Sequence, residues 1–250
     1  MKRSKSNGWL FGAAMLFFLM SCGGSGDEKT TTADSTTTAA DTMTKAPETA
    51  PVANTIVTTP ENMMVVTHKV ANFTKWMASY DEHDSMRLAN GIHSYVIARG
   101  FKDTNTVMVA VKVDDIAKAK AFSKDPSLRK AMQKGGVIGA PTIYFFTNTW
   151  QDTATIDTKL RSRTMFTVKD WDAWQKAFAE GKQERMDNGI LDRVIGHDAD
   201  DNKKVSLVTA VTDTAKAFAY YQSDALKKRR TAGGVVGEPV RFLFNIVRRY

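Results

Sequence analysis

The 250-residue chain predicts an α+β fold in which one βαββαβ unit occurs twice in tandem. Three observations predict it. The segment Gly135-Gly136-Val137-Ile138-Gly139-Ala140-Pro141 recurs 98 residues later as Gly233-Gly234-Val235-Val236-Gly237-Glu238-Pro239. Sliding residues 70–146 by that same distance gives 25 identities in 77 positions without a gap, a density that marks a duplicated domain. Within each copy, apolar residues follow strand and helix periods in one shared order.

The chain opens on a leader. Lys2, Arg3 and Lys5 precede an apolar run of twelve residues, Trp9 to Met20. A stable transmembrane helix needs about 20, so the short run behind a basic start reads as a secretory signal peptide. Leu19-Met20-Ser21-Cys22 resembles the bacterial lipobox, in which the cysteine becomes a lipidated N-terminus. Residues 1–21 are therefore expected to be removed and Cys22 to be acylated. Cys22 is the sole cysteine, and a lone thiol in an oxidising compartment has no disulfide partner. More than one acyl chain, as stable anchoring requires, would fix the protein to a bilayer in the cell envelope. Gly23 stands where retained lipoproteins commonly carry aspartate, so the expected destination is the outer membrane. The alternative is an uncleaved anchor with an incidental cysteine.

Residues 22–62 are rich in Thr, Ala, Asp and Pro and nearly free of large apolar side chains. Such a stretch cannot bury enough surface to offset its ordering entropy, and it reads as a tether. It holds two Lys against six Asp and Glu, although the whole chain carries a formal charge of +8. A basic folded part is consistent with anionic lipid heads or acidic ligands. Nucleic acid is not an expected partner of an exported, lipidated protein, and Lys227-Lys228-Arg229-Arg230 reads as a solvated helix face.

The two copies are expected at 63–150 and 151–250. A strand comes first (63–70 and 160–168), then a helix (72–90 and 170–188) with Asn72 or Asp170 suited to its N-cap. Phe73, Trp76 and Tyr80, or Trp171, Trp174 and Phe178, form one apolar stripe. Asn-Gly closes each helix, Gly supplying a left-handed C′ residue. Strands at 92–99 and 106–113, or 190–197 and 204–211, are joined by polar turns. A second helix follows, interrupted near Pro126 or Ser223-Asp224, and a last strand (142–147 and 240–246) ends the unit. The glycines of GGVIGAP follow a helix and precede a strand, whereas a phosphate loop must open a helix. They form a turn.

The order βαββαβ is that of a ferredoxin-like unit, whose antiparallel sheet has helices on one face only. Two tandem ferredoxin-like repeats can cover their bare faces by packing sheet to sheet. In this the chain resembles tandem members of the dimeric α+β barrel superfamily, near the antibiotic-biosynthesis-monooxygenase-like group. The resemblance covers residues 63–250 and rests on element order, repeat spacing and the Trp, Arg-Asn-Gly and Gly-Pro landmarks. It implies a shared eight-stranded barrel and, in some members, a small molecule or a histidine-bound haem. No such histidine pattern carries over, because His68, His83, His93 and His197 have no histidine in the other copy.

Side chains alternate along a strand, so His93, Tyr95, Ile97 and Arg99 are expected on one face and Leu191, Arg193, Ile195 and His197 on its twin. If that face lines the interior, His93, Tyr95, Arg193 and His197 can orient a small apolar or anionic ligand, or a histidine can act as general base. The alternative is that they face solvent at strand ends or bond internally. Asp81-Glu82-His83-Asp84 reads as a solvated helix face, since consecutive helical residues diverge, and no metal or cofactor is expected. His68, opposite Phe166 of the other copy, reads as a packed histidine. Arg87 and Arg185 are expected to cap carbonyls while laying their stems on apolar surface. No nucleophile, zinc or dinucleotide motif is present. Three readings stay open: an envelope lipoprotein that binds a small molecule or partner, a cofactor-independent or haem-dependent oxygenase-like enzyme, and an interaction module without a ligand.

Overall fold

A computed structural model describes residues 54–250. Cys22, the leader and most of the tether lie outside the described residues. Repeat 1 contains β2 (Glu61–Val70), α1 (Phe73–Glu82), α2 (Asp84–Leu88), β3 (Ile92–Gly100), β4 (Thr106–Val113), α3 (Ile116–Phe122), α4 (Pro126–Lys134) and β5 (Val137–Asp152), preceded by a short β1 (Ile56–Val57). Repeat 2 contains β6 (Leu160–Val168), α5 (Trp171–Glu180), α6 (Lys182–Asp187), β7 (Ile190–Asp198), β8 (Lys204–Val211), α7 (Thr214–Gln222), α8 (Asp224–Ala232) and β9 (Val235–Arg249).

All pairings are antiparallel, and neighbours run β5-β2-β4-β3-β9-β6-β8-β7, with β7 returning to β5. The eight strands therefore close into a barrel, which removes the edges an open sheet would expose. The seams between repeats are equivalent: Gln151 opposes Val194 and Arg249 opposes Val96. Across these seams β5 and β9 finish where β7 and β3 begin, so those ends lie together at one end of the barrel.

Two apolar layers hold the fold. Outside the barrel, the helices cover one face of each half. Trp76 sits there with Val70, Ile92, Ile97, Val111 and Phe122, and Trp174 with Val168 and Val205. Inside it, Met63, Val65, Val96, Ala98, Met108, Phe146 and Phe244 pack together. Helix starts follow the expected capping: Asn72 and Asp170 accept the N–H groups of Lys75 and Ala173.

Three expectations need correction. Composition extends the tether to residue 62, but Ile56 and Val57 pair with Asp152 and Gln151 on β5, and β2 begins at Glu61. The last strand of repeat 1 begins at Val137 rather than 142 and crosses residue 150. Pro141 is tolerated within it because the register slips between Thr67 and Lys69, leaving Gly139 to Pro141 outside the regular ladder; Gly139 has φ 73° and open space where a Cβ would stand. Finally, each long helix breaks, at His83 and at Gly181. The Arg87 guanidinium donates to the Tyr80 carbonyl (2.6 Å) and that of Arg185 to the Phe178 carbonyl (2.7 Å), at the end of the first segment. An inserted side chain of this kind is a recognised cause of a kink.

Candidate ligand-binding cavity

The interior of the barrel holds a cavity of about 280 Å³, near the lower end of the roughly 300–1,000 Å³ common for ligand pockets. Its two walls are equivalent by sequence and differ in chemistry at several positions. Repeat 1 supplies Met63, Val65, Tyr95, Val96 and Met108, and the corresponding positions of repeat 2 hold Arg161, Arg163, Arg193, Val194 and Ser206. Aromatic pairs lie deeper in the barrel: Tyr144 beside Phe146 and Phe242 beside Phe244. Residues 151–156, where β5 leads into the connection to β6, line the cavity at the other side.

Three of the arginines are buried. Arg161 donates to the carbonyls of Thr158 (2.7 Å) and Leu160 (3.0 Å). Burial, then the charges of Arg193 and Arg249, push its pKa down to about 10. Arg163 donates to the Ser206 hydroxyl (3.3 Å) and lies over the rings of Phe146 (4.6 Å) and Tyr144 (5.1 Å). Burial lowers its pKa to about 10 as well, so both remain cations at neutral pH. Arg193 donates to Asp152 Oδ2 (3.1 Å) and to the Ala154 carbonyl. Burial lowers its pKa, and the Asp152 charge opposes that shift. Asp152 is itself held by Thr55: burial acts to raise its pKa, yet bonds from the Ala154 N–H and Thr55 hydroxyl and the Arg193 charge outweigh it and lower the value. A chain of contacts thus runs from the start of the described chain, through Asp152, to the cavity wall.

The four residues singled out from the sequence do not meet in one place. Tyr95 and Arg193 line the cavity. His93 is exposed and pairs with Asp114 through Nε2 (3.0 Å). His197 lies on the outer, helix-covered side, edge-on to Trp171 at 5.0 Å, its Nδ1 donating to the Asp198 carbonyl (2.8 Å). His93 sits at the exposed start of β3, before any irregularity. For His197 the cause is a bulge, which occurs in each strand, between Ser94 and Val96 and between Asp192 and Val194. Tyr95 and Val96 both face inward, as do Arg193 and Val194, and the alternation then resumes with Ile97 and Ile195 against the helices. Ile97 and Arg99 therefore leave the face of Tyr95; the Arg99 guanidinium stands 4.4 Å from the Phe73 ring. The expectation of one four-residue interior set fails for both histidines.

Arg161, Arg163, Asp152 and Arg249 were not anticipated. The available signal was Arg161-x-Arg163 in a strand, where the twin carries Met63-x-Val65.

Two smaller crevices lie between helices and sheet. In repeat 1, about 80 Å³ is lined by His68, Trp76, His83, Met86 and Met132. His83 is half-buried there, its Nδ1 donating to the Ser79 carbonyl (2.7 Å), so it is not the wholly solvated residue expected. In repeat 2, about 90 Å³ is lined by Thr164, Tyr220, Tyr221 and Arg241 among others. The residues do not fit a haem. No histidine lines the central cavity, and the His68 ring is buried 5.5 Å from that of Trp76 beside a space of only about 80 Å³. Among the described residues there is no cluster of metal-ligating side chains, and no helix is long and apolar enough to cross a membrane.

A closed barrel of two βαββαβ halves defines the class: this is a dimeric α+β barrel formed within one chain. Solved structures agree. An anthrone oxidase-like protein matches with TM-score 0.51 and 13% identity over 77% of this chain and 94% of its own. A candidate monooxygenase from Fusobacterium nucleatum matches with TM-score 0.50 and 13% identity over 76% and 93%. A candidate chlorite dismutase matches with TM-score 0.50 and 12% identity over 76% and 96%. At such identities the likeness is one of fold. No protein-family model and no curated protein matches the chain.

Proposed function

We propose that the chain is a lipid-anchored envelope protein whose barrel binds a small molecule without transforming it. One observation carries the binding role: an internal cavity in which Met63, Val65 and Met108 of one repeat stand where the other places Arg161, Arg163 and Ser206. The anchor is supported by the lipobox-like Leu19-Met20-Ser21-Cys22 and the tether behind it. Native mass spectrometry of the chain purified from its own cells tests the binding role: a small molecule retained on the folded protein is expected, and a consistently bare mass argues against it. Incorporation of a labelled fatty acid, lost on Cys22→Ser, tests the anchor. Equal labelling of both proteins would refute acylation at Cys22.

The second reading is an oxygenase-like enzyme acting on an aromatic or carbonyl compound in the same cavity. It is supported by Tyr95, whose phenol faces the space alongside Arg193, and by the descriptions of the anthrone oxidase-like and monooxygenase-type proteins that share the fold. Oxygen uptake with quinols or anthrones that disappears in Tyr95→Phe would favour it over simple binding.

A further inference from the structure

Resting on the reading of the barrel as a binding module, we infer that its ligand is an organic anion, with a carboxylate or phosphate head among Arg161, Arg193 and Arg249 and an apolar body on the opposite wall. The charge balance of the lining supports this. Four arginines face the cavity, Asp152 is the one acidic side chain among the described lining residues, and Asp152 is already paired with Arg193. Among the described residues, no carboxylate pairs with Arg161, Arg163 or Arg249, and Arg161 and Arg163 are 4% and 6% exposed. A guanidinium withdrawn from water without a counter-ion is costly, and an anion entering the cavity would offset that cost through charge-assisted hydrogen bonds.

The twin repeat shows that the fold does not require these cations. The positions of Arg161, Arg163, Arg193 and Arg249 are filled in repeat 1 by Met63, Val65, Tyr95 and Gln151, within the same strands and registers. The basic wall is thus a property of the cavity and not of the architecture. The other half of the ligand would lie on the apolar part of the repeat 1 wall, which also holds Tyr95, Asn148 and Gln151. Met63, Val65, Val96 and Met108 offer no hydrogen-bonding group except a weakly accepting thioether, and methionine adapts its shape to varied apolar bodies. Arg249 is exposed and Arg161 buried, so the head group would bridge from the solvent side of the cavity into its interior.

Calorimetric titration of the chain from residue 23, which retains every described residue, tests this with two matched pairs at neutral pH: 4-phenylbutyrate against 4-phenylbutyramide, and octanoate against octanamide. Each acid is expected to bind at least about tenfold more tightly than its amide. Arg161→Met and Arg249→Gln, which install the residues of the other repeat, are expected to weaken the acids by about ten- to a hundredfold each and the amides far less. Arg249→Gln at the exposed position keeps the test valid if Arg161→Met fails to fold. Equal binding of acid and amide overturns the anionic class while leaving the barrel a binding module. An acid preference that survives both substitutions together places the anion outside this cavity and also overturns it. Failure of all four probes, with nothing retained in native mass spectrometry, sinks the binding role itself.

Discussion

His68 offers a direct test of how burial controls stability. It lies on β2 facing the helices, is 6% exposed, and neither ring nitrogen has a hydrogen-bond partner. Burial lowers its pKa from 6.5 to about 4. A folded value below the unfolded one means that the unfolded chain takes up the proton first as pH falls. The contribution to stability is therefore fully present above about pH 6.5 and is lost progressively down to about pH 4. Integrating that difference gives a loss of about 2 kcal/mol between pH 7 and pH 5, large against the roughly 5–15 kcal/mol of an ordinary domain. His68→Phe, the residue found at Phe166 in the other repeat, removes both the proton and the unsatisfied nitrogens. Urea unfolding followed by tryptophan fluorescence at pH 5, 6 and 7 should show the variant losing about 2 kcal/mol less than the parent on acidification. Parallel pH slopes for the two proteins would refute the assignment of a buried, neutral imidazole.

Two paired comparisons have clear signs. Arg185 and Asp192 pair at 2.6 and 2.8 Å with both side chains 8% exposed, so Asp192→Ala should cost about 3–5 kcal/mol in urea unfolding. Asp84→Ala removes a half-exposed carboxylate that accepts one bond from Arg87, against the two that Asp192 accepts from Arg185, and should cost less than Asp192→Ala. Gly189→Ala would force a Cβ to 2.6 Å from that of Asp213 at φ 68°, whereas Gly139→Ala meets nothing at φ 73°. The second should cost about 1 kcal/mol and the first clearly more, and similar melting temperatures for the two variants would contradict the close approach.

The repeat made most of the fold readable. Trp76 with Trp174 and Asn90-Gly91 with Asn188-Gly189 fix the same elements twice, so a weak pattern in one copy is confirmed by the other. What escaped is whatever breaks a regular period. One extra residue at Tyr95 and at Arg193 reverses the side-chain faces beyond it, and neither carries a glycine or proline to announce it. Strict alternation therefore puts His197 on the wrong face. β1 escaped because two residues, Ile56 and Val57, are too few to show a period, and their pairing with β5 spans almost the whole of repeat 1. Arg161 and Arg163 were visible in the alignment of the two copies, but their inward orientation depends on barrel closure.

Joining both halves in one polypeptide has a genetic consequence for the interior. In a barrel assembled from two identical subunits, every mutation of a lining position appears twice, related by the two-fold axis. Arg161 alone would then bring a second guanidinium in place of Met63, and a cation could never face a thioether across the axis. Fusion releases each position from its mirror, so selection can polarise the chamber. A polarised chamber would also favour a single orientation of any molecule it held, where a symmetric one would accept two opposed poses of equal energy.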